Sequence, residues 1–229
     1  MDIQKIGVVG AGQMGCGIAQ VVAQAGYQVV LADSAPENLE KAHANMAKSL
    51  NKLATKQIIS QDVAHQALTR INTTAHLADM ADCQFVIEAV TENEQVKTAI
   101  FKELDDILPA ESLLASNTSS ISITRLAATT SRPEKFIGMH FMNPVPIMNL
   151  VEVIRGLATD EDTFNAVLAL TENLGKVAAP ADDMPGFLVN RILMPMINEA
   201  IDSLAAGVAD VKTIDTAMTL GTGQPMGPL

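Results

Sequence analysis

Short apolar runs alternate with helix-period segments over most of this chain, and near residue 186 the alternation stops. Residues 5–9 (KIGVV) are apolar after Lys5 and read as a buried strand. From Gln13 the period turns helical, with Ile18, Val21 and Val22 on one face and Gly26 closing the segment. A second apolar run, 28–33 (QVVLAD), ends in an acid. Pro36 then opens a long helix reaching about Lys56, with Ser34 expected as its cap. Strands are expected at 84–90, 112–117, 135–142 and 149–155. A helix over 94–107 separates the first two, and the loop NPVPIM separates the last two. A helix over 161–174 ends at Gly175, and KVAAPADD leads to Pro185 and Gly186.

Beyond Gly186 the pattern is helical only. The stretch FLVNRILMPMINEAIDSLAAG is broadly apolar, and a helix over 209–219 carries Val211, Ile214 and Met218 on one face. Strands alternating with helices, then helices alone, predict an α/β domain over 1–183 and an all-α domain over 184–229.

Composition narrows the function classes. A net charge of −11 disfavours nucleic acid and anionic membranes as main partners. The aromatic share of 3%, with no Trp, disfavours base stacking. Two cysteines, Cys16 and Cys83, make no disulfide framework and fit a reducing compartment. Gln13, Gln20, Gln24 and Gln28 break up the apolar N-terminal region, so no export signal or membrane span is expected and the location is read as cytoplasmic. No metal-ligand spacing is visible.

The most informative turn is GAGQMG, residues 10–15. Gly10, Gly12 and Gly15 stand in G-x-G-x-x-G spacing behind a strand and ahead of a helix, and Asp33 ends the next strand 18 residues after Gly15. In a dinucleotide site Gly10 permits the tight turn, Gly12 admits the pyrophosphate, and Gly15 lets helix and sheet pack closely. Gly10–Gly15, with Ala11, Gln13 and Met14, would form the phosphate cradle. Asp33 would bind the adenosine ribose and repel a 2′-phosphate, which favours NAD over NADP. The competing reading is a glycine turn with an exposed acid; the flanking strand, helix and acid weigh against it.

A second constellation lies in GMHFMNPVPIMNLVEVIRG. His140 falls near the end of one expected strand and Glu152 in the next, so adjacent strands would bring an imidazole and a carboxylate together. Such a pair makes a general base. Spacing alone leaves open a structural histidine and a solvent-facing glutamate.

These residues, with VIEAVTENEQVK, ASNTSSISIT, PGFLVNRIL and PMGPL in the same order, resemble the short-chain (S)-3-hydroxyacyl-CoA dehydrogenases, including bacterial 3-hydroxybutyryl-CoA dehydrogenases. The resemblance runs over essentially the whole chain. It implies a Rossmann-type domain, a helical second domain continued by further helices after Leu229, and a homodimer formed through those helices. It implies NAD as cofactor and an acyl-CoA thioester as substrate. His140 would be the base, Glu152 its partner, and Ser119 and Asn190 contacts to the reacting group. Glu92, Lys97, Ser119 and Asn143 would line the cofactor, and Ser49 and Lys56, with Ser119, would hold the CoA substrate. Lys41, Lys48, Lys52 and Lys56 recur along the long second helix and offer a local positive stripe, though such a stripe is more commonly a solvated face.

Three rivals remain. A dehydrogenase of free β-hydroxyacids would need a glycine-rich substrate signature and a lysine base, neither of which is seen. A non-catalytic NAD-binding or structural protein on the same fold would not require the full set of side chains present here. A segment of a larger fatty-acid oxidation protein is disfavoured by a fingerprint beginning within ten residues of Met1.

Overall fold

The computed structural model describes residues 3–229. The chain divides at Met184–Pro185 into two compact units.

The first unit is built on one eight-stranded sheet in the order β3-β2-β1-β4-β5-β6-β7-β8. The strands are β1 Lys5–Val9, β2 Gln28–Ala32, β3 Ile71–Thr74, β4 Phe85–Glu88, β5 Leu113–Ser116, β6 Phe136–Phe141, β7 Leu150–Arg155 and β8 Val177–Asp182. Every pairing is parallel except β6 with β7. The first six strands give the doubly wound order, which opens a crevice at their carboxyl ends between the neighbours β1 and β4, where the strand order reverses. Strands β4, β5 and β6 are buried along their whole length, which is why they read as apolar runs broken only by Glu88, Ser116 and His140 near their carboxyl ends.

Around the sheet lie α1 Gln13–Gln24, α2 Pro36–Thr55, α3 Gln61–Thr69, α4 Glu94–Ile107, α5 Ile123–Ala127 and α6 Glu161–Asn173. The core joins Ile6, Val8 and Ile87 of the sheet to Ile18 and Val22 of α1 and to Met46 and Leu50 of α2.

The structure corrects or adds several details, the short helix α5 among them. The residue capping α2 is Ala35, not Ser34, and makes no side-chain cap bond. Asp33 braces that cap residue from outside the helix, accepting the Ala35 amide at 2.9 Å. The elements α3 and β3 are additions to the sequence pattern, because INTT buries only Ile71 and shows no apolar run. The connector KVAAPADD contains strand β8, whose Pro180 is tolerated because β8 is the sheet edge.

The second unit contains α7 Val189–Ala205 and α8 Val211–Thr222. Pro195 lies inside α7 and cannot donate to the Arg191 carbonyl. The Asp210 side chain caps α8 through the Thr213 amide. Ile192, Met194, Ile201, Val208 and Leu220 stand exposed on this unit. Among the described residues, no helix of the chain is long and apolar enough to cross a membrane.

Candidate active site

At the end of β1 the chain turns sharply because Gly10 adopts φ +104°, and a side chain there would strike the Ala89 carbonyl. A Cβ on Gly15 would lie 1.7 Å from the Gly10 carbonyl oxygen, so α1 starts in contact with the turn. A Cβ on Gly12 would meet nothing within 4 Å; it would project into the open cradle. The cradle opens into a cleft of about 970 Å³ that Gly12, Gln13 and Met14 share with Asp33, Asn38 and His76. The first-turn amides of α1 and this open space fit a dinucleotide pyrophosphate, and Asp33 at the end of β2 fits its adenosine ribose. Cys16, beside the cradle, donates its thiol to the Ala11 carbonyl. Burial, with the charge of Asp33, pushes that thiol up to about 11, so it is a poor nucleophile.

The second cluster forms where β6 and β7 run antiparallel. His140 and Glu152 are direct cross-strand partners in that ladder. Their side chains therefore project from the same face. His140 Nδ1 lies 2.6 Å from Glu152 Oε2, and Nε2 lies 3.0 Å from Ser119 Oγ. Glu152 is fully buried and His140 nearly so. A proton on Nδ1 donating to Glu152 leaves the Nε2 lone pair facing Ser119. The Asn117 side chain fixes the strand end by accepting the Phe141 amide at 2.9 Å.

Ser119 belongs to a turn gathered around Glu92. One carboxylate oxygen, Oε1, accepts from the Ser119 and Ser120 amides and from the Thr118 and Ser120 hydroxyls at 2.5–3.0 Å. Burial by itself would raise the Glu92 pKa. The hydrogen bonds from Thr118 and Ser120 and the nearby Lys97 charge hold it below its ordinary value.

Lys97 is buried rather than open to the cleft. Its Nζ sits 2.6 Å from Glu88 Oε1 and 3.6 Å from Glu92 Oε2. Glu88 itself is not singled out by the sequence. The available signal is one acid in the otherwise apolar run FVIEAV, with a lysine nine residues on.

Asn143 is exposed in the loop after β6, where its Oδ1 accepts from Gln13 Nε2 at 3.0 Å. Lys176 supports that loop from below, donating to the Val145 and Met148 carbonyls at 2.8 Å each. Ser49 and Lys41 line a smaller groove of about 400 Å³ with Asn143 and Cys16. Lys56 follows the last residue of α2, and all four lysines of the stripe are exposed. Asn190 stands in the first turn of α7, in the second unit. Among the described residues, no His/Cys/Asp/Glu cluster is arranged to hold a metal ion.

A doubly wound sheet with a dinucleotide cradle and a buried imidazole–carboxylate pair beside it defines a nicotinamide-dependent dehydrogenase. Residues 5–184 match the model of the 3-hydroxyacyl-CoA dehydrogenase NAD-binding domain, and residues 186–229 match that of the 3-hydroxyacyl-CoA dehydrogenase C-terminal domain. The chain belongs to the 3-hydroxyacyl-CoA dehydrogenase family, and its cofactor is NAD. It is 53% identical to the 3-hydroxybutyryl-CoA dehydrogenase of Bradyrhizobium diazoefficiens over 227 residues, covering 99% of this chain and 78% of the relative. It is 41% identical to human mitochondrial hydroxyacyl-coenzyme A dehydrogenase, covering 99% and 74%. The crystal structure of (S)-3-hydroxybutyryl-CoA dehydrogenase from Ralstonia eutropha superposes with a TM-score of 0.97 at 48% identity, covering 100% of this chain and 81% of that one.

Proposed function

We propose that the chain interconverts (S)-3-hydroxyacyl-CoA and 3-oxoacyl-CoA thioesters with His140 as the proton-transfer group. The observation that carries this reading is the imidazole held between Glu152 at 2.6 Å and Ser119 at 3.0 Å. Bound NAD supplies the hydride acceptor in oxidation. His140 Nε2 takes the hydroxyl proton as the C3–H bond breaks, and Glu152 stabilises the imidazolium that forms. Ser119 hydrogen-bonds to the oxygen whose charge changes. In reduction the protonated His140 returns its proton to that oxygen.

Glu92 and Asn143 flank the cofactor, with Lys97 buried behind Glu92 rather than touching it, and Ser49 and Lys56 bind coenzyme A. The chain pairs as a homodimer through its helical unit, whose Ile192, Ile201 and Leu220 remain exposed. Its compartment is the cytoplasm. Consumption of NADH with acetoacetyl-CoA, and none with free acetoacetate, tests the reaction; activity on the free acid alone overturns it. Light scattering tests the pairing, and a monomer at micromolar concentration refutes it.

A further inference from the structure

Glu88 is the last residue of β4, has no exposed surface, and is held by more polar partners than its position in an apolar strand requires. Its Oε1 accepts from Lys97 Nζ at 2.6 Å and from the Val90 amide at 2.7 Å, while Oε2 accepts the Ser116 hydroxyl at 2.7 Å. A buried carboxylate and ammonium cost desolvation energy that apolar residues of similar size would avoid, so the pair is not needed merely to hold the fold.

What the pair does is divide the lysine between two acids. Lys97 lies 2.6 Å from Glu88 but 3.6 Å from Glu92 Oε2, close enough to keep Glu92 charged and too far to capture it. Glu92 Oε1 is left to gather the Thr118, Ser119 and Ser120 donors. Ser119 then presents Oγ to His140 Nε2 at 3.0 Å. Glu88 thus stands at the buried end of a chain that runs through Lys97, Glu92 and Ser119 to the imidazole.

We propose that Glu88 is a positioning residue for proton transfer: by holding Lys97 away from Glu92, it sets Ser119 against His140. This rests on the dehydrogenase reading given above. Neutralising Glu88 frees Lys97 to close on Glu92, and the competition draws the carboxylate away from the serine turn. A displacement of about 1 Å at that turn is enough to slow a reaction by roughly 100-fold.

The test is Glu88→Gln, assayed with acetoacetyl-CoA and NADH beside ¹⁵N NMR of the His140 ring. The expected result is a fall in kcat of about 10-fold to 100-fold, with both KM values within about threefold and a moved Nε2 resonance. A kcat within twofold of the wild type, a change confined to KM, or an unmoved Nε2 resonance overturns the proposal. The ring signal is read without turnover, so an inactive wild type would sink the dehydrogenase reading while leaving this one decided by NMR. Should Glu88→Gln fail to fold, Glu92→Ala, on a half-exposed side chain, should lower kcat and move Nε2 in the same way. A fully active Glu92→Ala protein overturns the chain.

Discussion

Asp33 Oδ2 accepts the Ala11 amide at 2.7 Å, so the acid immediately after β2 also braces the glycine turn that follows β1. Its other oxygen is held by the Ala35 amide and by Asn38 Nδ2, at 2.9 and 3.1 Å. The carboxylate is therefore fixed in place before any ribose arrives, and a 2′-phosphate would meet a charge unable to swing away. The wild type should prefer NADH over NADPH by about 100-fold or more in kcat/KM. Asp33→Asn should not convert the enzyme to NADPH. It sets an amide donor against one of three existing donors and should raise KM for NADH. Equal kcat/KM for the two cofactors in the wild type would refute the ribose assignment.

Glu152→Gln keeps the shape of the cross-strand partner and removes its charge. The interaction matters most as imidazolium forms, so kcat should drop by about 100-fold or more while NADH affinity stays near normal. His140→Ala should cost at least as much. The double variant should be little worse than His140→Ala, and multiplicative losses in steady-state kinetics would show two independent roles.

The sequence carried the parts of this architecture that depend on local pattern. Gly10, Gly12, Gly15 and Asp33 are legible because a tight turn and a strand-end acid have fixed residue requirements. The helix over 94–107 is legible from its apolar period, and the structure places it at Glu94–Ile107. The strand β3 was hidden because Asn72 and Thr73 are exposed at the sheet edge, and α3 because it buries only the small residues Ala64 and Ala67. Glu88 was hidden for the opposite reason. Its burial depends on Lys97 and Ser116 converging from other segments, and no spacing within β4 announces that. The pairing of His140 with Glu152 lay between these cases, since two strands were visible but their register was not.

Lys56 offers an exposed charge at the end of α2, where salt screens strongly. Lys56→Gln should raise KM for acetoacetyl-CoA by about threefold to tenfold, a loss near one kcal/mol. It should also flatten the salt dependence, with little change for a pantetheine-truncated substrate. Equal weakening of both substrates would mean that Lys56 supports the fold instead.

Asp183 ties the end of the first unit to the start of α5, accepting from the Ser122 hydroxyl and the Ile123 and Thr124 amides. Burial alone would raise its pKa; these bonds hold it below the ordinary value of 3.8. The native state thus binds the proton less readily than the unfolded chain. The stabilisation is complete above that value and is lost as pH falls through the lower, folded pKa. Asp183→Asn should lower stability at neutral pH and make denaturant midpoints less sensitive to acid. An unchanged slope of stability against pH below about 4 would show that the anchor contributes nothing.

The ladder that pairs His140 with Glu152 makes the dyad a property of the backbone. The connection from Met142 to Asn149 lies outside both strands, so neither side chain owes its facing to that loop's length. Lengthening the loop between Ile147 and Met148, past Asn143, would redraw the mouth of the site while leaving the proton-transfer pair in register. A slip of one residue between β6 and β7 would do the reverse, sending one member to the far face of the sheet while the loop kept its shape. Variation in what the enzyme admits and variation in whether it reacts are thereby assigned to different stretches of chain, which makes the loop a place to graft new specificity.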